Sequence, residues 1–167
     1  MAQSAWRAVI RERLDLSWQS SDRPNGDVWK ARLRDLLHDC AASTPDEQAD
    51  RIREAHALLW LSPGQAERFA GPARDVRTLD ALLALGAHES AVISLFGGDS
   101  AFMVSRGANG NCLASVVAPG GSEELVAEGS TLALALLCAH ISSVLADGDT
   151  ASGAAAKPDH NAALRLN

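Results

Sequence analysis

The chain has no tyrosine, only three phenylalanines, three cysteines and, in its second half, almost no basic residues. Each scarcity excludes something. Cys40, Cys112 and Cys138 are too few and too widely spaced for a disulfide framework or a zinc knuckle. An odd count fits a reducing compartment, so a cytoplasmic location is expected. Residues 78–167 hold Arg106, Lys157 and Arg165 against nine acids, while residues 1–77 balance twelve bases against twelve acids. The whole formal charge of −6 therefore sits in the second half. Phosphate backbones are bound by Lys and Arg that neutralise them, so nucleic acid and anionic membrane are expected to be poor partners there. The opening residues, MAQSAWRAVIRERLDL, mix acids with arginines and contain no continuous apolar run, so no signal peptide is expected.

Against these absences stands residues 131–146, TLALALLCAHISSVLA, with no charge at all. Only Thr131, His140, Ser142 and Ser143 interrupt its apolar surface. A helix that is apolar nearly all round must be covered on more than one side. The run is short of the roughly 20 residues that span a bilayer and lacks a basic flank, so it predicts a central helix rather than a membrane span.

The first 70 residues predict helices. Trp6, Val9, Ile10 and Leu14 form one stripe, SSDRPNG at 20–26 reads as a loop, and Asp27 opens a helix that aligns Trp29, Leu33, Leu36, Leu37 and Cys40. Thr44-Pro45-Asp46-Glu47 and Ser62-Pro63-Gly64-Gln65 are capping boxes with proline in the first turn. A further short helix, Leu79 to Leu85, ends at Gly86. The period then changes. Residues 91–96 (AVISLF), 100–106 (SAFMVSR), 111–118 (NCLASVVA) and Glu124 to Glu128 predict four short strands with glycine-containing turns between them. Asn109-Gly110 predicts a type I′ hairpin. From Asp147 onward the composition is small and polar, and a loose tail is expected.

Chemistry-bearing patterns are thin. There is no P-loop and no dinucleotide fingerprint. Gly97-Gly98-Asp99-Ser100 sits between predicted strands and reads as a turn rather than a nucleophile elbow. Cys138 and His140, two apart on a helix, point in different directions; Cys112 with His140 is conceivable as a dyad, but a buried structural cysteine is the commoner outcome. His38-Asp39-Cys40 lack metal-ligand spacing, His56 reads as a core or interface histidine, and Asp147-Gly148-Asp149 is not completed as a calcium loop. No catalytic residue, metal or cofactor is expected. The order helix, three strands, helix also occurs in double-stranded RNA-binding domains, but their last helix opens on lysines where this chain has Glu128-Gly129-Ser130-Thr131. All four tryptophans, Trp6, Trp18, Trp29 and Trp60, lie in the first 60 residues, on charged helices. Each fits core packing singly; together they are candidate aromatic anchors of a partner-binding surface.

Two segments, FAGPARDVRTLDALLALG at 69–86 and LVAEGSTLALALLCAHISSVLA at 125–146, resemble small phage-associated proteins of the phage ABA sandwich type. The resemblance covers about half of the chain and leaves residues 1–60 without a counterpart. It implies a layered α+β fold and a phage or prophage setting, and it carries no functional residues.

The expected architecture is α+β: a short antiparallel meander of three to four strands with a buried C-terminal helix, preceded by an N-terminal helical region. The expected division is a helical region over 1–70, a small α+β sandwich over 71–147 and a flexible tail over 148–167. The expected function is a non-catalytic protein-interaction or adaptor module that binds a protein partner or itself as a homodimer. The alternatives are an acidic chaperone-like binder of another polypeptide and a small enzyme of unrecognised type.

Overall fold

Helix α1, Gly26–Ala42, turns Trp29, Leu33, Leu36 and Cys40 inward at helical spacing, as the apolar stripe predicts. The computed structural model describes residues 26–60, 75–96, 100–117 and 123–154, with the backbone alone for 148–154. The predicted helix carrying Trp6, the loop at 20–26 except Gly26, the second capping box at Ser62 and the turn at Gly97 to Asp99 lie outside the described residues. After α1, Thr44 opens a short 3₁₀ turn, Pro45–Glu47, that feeds directly into α2, Gln48–Trp60. The Thr44 amide donates to the Glu47 carboxylate at 2.8 Å, so the predicted capping box forms. Two short helices follow, α3 over Val76–Ala84 and α4 over His88–Ile93. Asp75 caps α3 by accepting from the Arg77 amide, and Gly86, at φ +71, reverses the chain after it.

Helix α4 and the turn that follows it overturn the strand expected at 91–96. Ala91, Val92, Leu95 and Phe96 are all buried, a spacing of one, three and one that suits one side of a helix. Two β-branched residues suggested a strand. The helical turn wins because it delivers four side chains to one core, where a strand would send alternate ones outward.

The sheet has three strands in the order β1 (Ala101–Arg106), β2 (Cys112–Val117) and β3 (Glu124–Gly129), all antiparallel. The β1–β2 hairpin forms at Asn109-Gly110, but not through the predicted two-residue turn. Gly107 and Asn111 continue the ladder by a 2.9 Å bond, and the Gly110 amide donates to the Gly107 carbonyl at 3.0 Å. Only Gly110, at φ +87, needs the left-handed region, the arrangement of a three-residue loop. The Asn109 side chain accepts from the Asn111 amide at 3.2 Å.

Helix α5, Leu132–Ala154, runs seven residues past the expected boundary at 147. Every residue from Ala133 to Ile141 is buried. The sheet covers one side, chiefly through β3 and β2, and α1, α4 and α2 cover the other. One continuous core thus includes Leu33, Leu36, Ile52, Val92 and Val116 together with α5. At Gly129 the end of β3 comes so close to α5 that a Cβ would lie 2.5 Å from the Ala135 amide nitrogen. The Thr131 hydroxyl caps α5 by accepting from the Leu134 amide at 3.1 Å. The same threonine donates to Gln48 Oε1 at 3.0 Å, and the neighbouring Ser130 hydroxyl donates to the Ser43 carbonyl at 2.8 Å. These bonds fix where the helix enters the core.

Leu136 and Leu137 are 1% and 0% exposed and about 100° apart around α5. Truncating either to alanine should lower unfolding free energy by about 2–5 kcal/mol in urea titrations. Leu137→Arg should prevent folding, because it places an unpaired charge among apolar side chains. A Leu137→Arg chain with wild-type circular dichroism and melting would contradict a helix covered on both sides.

Candidate functional site

The described residues that carry chemistry lie mostly inside the fold. Cys40, Cys112 and Cys138 are all free and buried. Cys40 on α1 and Cys138 on α5 share a thiol–thiol hydrogen bond; that bond, and then burial, pushes the Cys40 thiol far above its ordinary value, while the same bond lowers Cys138. The Cys112 thiol sits at 3.7 Å from the Gly110 carbonyl at the hairpin end of β2. Cys112 pairs with Gly129, which abuts Ala135, whereas His140 lies about 7.5 Å further along the α5 axis. The structure therefore sets Cys112 and His140 at different levels of the helix.

His140 is held by stacking. Its ring lies on Phe96 with centroids 4.1 Å apart and planes 27° from parallel, and Phe96 in turn meets Phe102 of β1 at 5.6 Å. Burial lowers the imidazole pKa to about 4, and the Leu95 backbone beside it pulls the other way. The neutral ring is thus the folded form at pH 7. His38 and Asp39 are exposed at the end of α1, and Cys40 points inward, so the three do not converge. His56 is half-buried on α2. Among the described residues no group of three or more His, Cys, Asp or Glu side chains could hold a metal ion. None of the helices in that part of the chain is long and apolar enough to cross a membrane.

The tryptophans separate. Trp29 is 4% exposed, and its indole donates to the Leu58 carbonyl at 2.8 Å, joining α1 to α2. It packs the core and offers no surface to a partner, which corrects its assignment as an anchor. Trp60, at the end of α2, is 54% exposed. Trp6 and Trp18 lie outside the described residues.

Among the described residues, a continuous run of exposed apolar side chains lies on strand β1, which the sequence pattern did not mark as a surface. All six of its residues are exposed. Alternate side chains leave opposite faces, so Phe102 and Val104 point to the helix side with Val116 and Ala114, while Met103 points away with Ser115. Phe102, Met103 and Val104 are nevertheless 42%, 62% and 37% exposed. The cause is width. A helix about 10 Å across covers roughly two strands spaced about 4.8 Å apart, and α5 lies on β3 and β2. On the far face, Met103, Ser115 and Val126 form a cross-strand row, with Val126 56% exposed. Among the described residues no strand pairs with the outer edge of β1. The alternation of AFMVSR predicted a strand; only its place at the end of the sheet makes it a surface.

Comparison with protein-family models, with curated proteins and with solved structures finds no match for this chain.

Two measurements check the buried chemistry. His140 has a folded-state pKa below its unfolded value of about 6.5, so its contribution is complete above pH 6.5 and declines as pH falls towards 4. Between pH 8 and pH 5 it should cost about 2 kcal/mol of stability, and His140→Leu should flatten the urea-unfolding profile by that amount. An unchanged slope in the variant would show that the imidazole is not desolvated. Separately, dithionitrobenzoate should find almost no reactive thiol in native protein and all three in guanidinium, since buried thiols are inert. Rapid native reaction would show the helical layer to be open.

Proposed function

We propose that the chain is a non-catalytic protein-interaction or adaptor module, and that it takes hold of another polypeptide through the edge and faces of β1. One observation carries this reading: an edge strand that, among the described residues, no other strand pairs on its outer side and that is apolar on both faces. Natural sheets blunt such edges with lysine, proline, bulges or a covering helix. Strand β1 contains no proline and no lysine, and its single charge, Arg106, stands at the end. Edge backbone groups supply sequence-independent hydrogen bonds to an added strand, and Phe102, Met103 and Val104 supply the apolar contact that selects it. Burial of the thiols and of His140 supports binding over catalysis, because neither reactive group faces a substrate.

The phage or prophage setting rests on the resemblance of residues 69–86 and 125–146, and it is part of the proposal. An acidic chaperone-like binder would use the same edge, and the identity of the captured polypeptide separates that role from an adaptor's.

A photo-reactive benzoylphenylalanine placed at Met103 should form an adduct with a polypeptide in cells that make the protein. The same group at the exposed Asp46, on the short turn before α2, should not. Mass spectrometry of the adduct names the partner. No adduct from position 103, with the chain folded, would rule out β1 as the binding edge.

A further inference from the structure

The occupant of the β1 edge follows from the residues on it. We propose that a second copy of this chain pairs with β1 about a two-fold axis, extending each three-stranded sheet into one antiparallel sheet of six strands. This inference rests on the binding role of β1 and commits that role to a partner.

The register is constrained by the faces. If both α5 helices are to lie on the same side of the joined sheet, paired residues must share a face, so the axis passes through a residue and not between two. Centred on Met103, it places Phe102 opposite the second copy's Val104 twice, Met103 opposite its own copy, and Ala101 opposite Ser105. Phe102, Met103 and Val104 then each meet an apolar side chain. Arg106 falls beside the second copy's Ser100, away from its own like charge. Centred on Val104 instead, the axis would set each Phe102 against Arg106. On the helix side, the two Phe102–Val104 pairs close the strip that each α5 leaves uncovered.

Charge and topology favour self-pairing over other occupants. Two copies at −6 repel, and β1 carries no acid, so this edge is where they approach with least opposition. The other edge, β3, carries exposed Glu124 and Glu128 and lies beside α1. Pairing β1 with β3 of the next copy would have to displace that flank and would leave open-ended chains. Two β1 strands close on each other in a single isologous contact.

Sedimentation of the full chain across the micromolar range tests this. A dimer is expected, and Met103→Lys, which sets two ammonium groups face to face, should raise its dissociation constant by at least about 100-fold. Met103 is exposed in the single chain, so the variant's thermal melt at low concentration should match the wild type. In glutathione disulfide, Met103→Cys should cross-link chain to chain, each new disulfide consuming one oxidant and releasing two glutathiones. Val126→Cys, on the far strand, should not cross-link. A dimer that ignores Met103→Lys and cross-links through position 126 would overturn the proposal. So would a monomer throughout. A monomer whose residue-103 photoadduct contains a different polypeptide would overturn self-pairing alone, and a monomer with no adduct would overturn the binding role of β1 as well.

Discussion

Over Ala133 to Ile141, helix α5 has no side that faces water, and the rest of the described structure is arranged around that constraint. From Ala133 to Ile141 no side chain is charged and none is exposed. The sheet covers it from below and α1, α2 and α4 from above, so residues far apart in sequence are brought into one core. Alanines at 133, 135 and 139 keep the helix narrow enough for close packing, and Gly129 lets the last residue of β3 reach its backbone. Hydrogen bonds from Ser130 and Thr131 to Ser43 and Gln48 then fix the entry point. A polar network around Arg51, which donates to Ser43 at 3.0 Å and pairs with Glu54 at 3.0 Å, holds α1 and α2 at the same corner.

The same constraint leaves β1 outside. One helix cannot cover three strands, and help comes from the turn after α4, where Phe96 touches both Phe102 and His140. That aromatic ladder runs from the buried centre of α5 to the open edge of the sheet. It gives Phe102 a rigid base while leaving two-fifths of its surface exposed. A strand anchored on one side is already ordered, whereas a loose strand would first have to be ordered before it could pair, at a cost in entropy.

Reactive groups follow the opposite pattern. The three free thiols and the His140 imidazole are withdrawn into the core, where the Cys40 and Cys138 thiols are joined by a hydrogen bond and His140 is kept neutral by desolvation. Among the described residues, what the sheet brings to the surface instead is the apolar area of β1.

Much of the architecture was determined by local sequence. The uncharged run at 131–146 required a helix covered on several sides, the stripe from Trp29 to Cys40 required α1, and Asn109-Gly110 required a hairpin. These are properties of period, charge and backbone freedom, which a short segment carries in itself. Tertiary structure decided the rest. Residues 91–96 became the end of a helix and the turn after it because four apolar side chains could enter one core that way. Trp29 became a core residue because α2 offered the Leu58 carbonyl to its indole. The surface of β1 exists only because β1 stands last in the sheet: the same AFMVSR at the centre would have been buried on both edges. Strand order and helix width are relations between distant segments, and no single segment contains them.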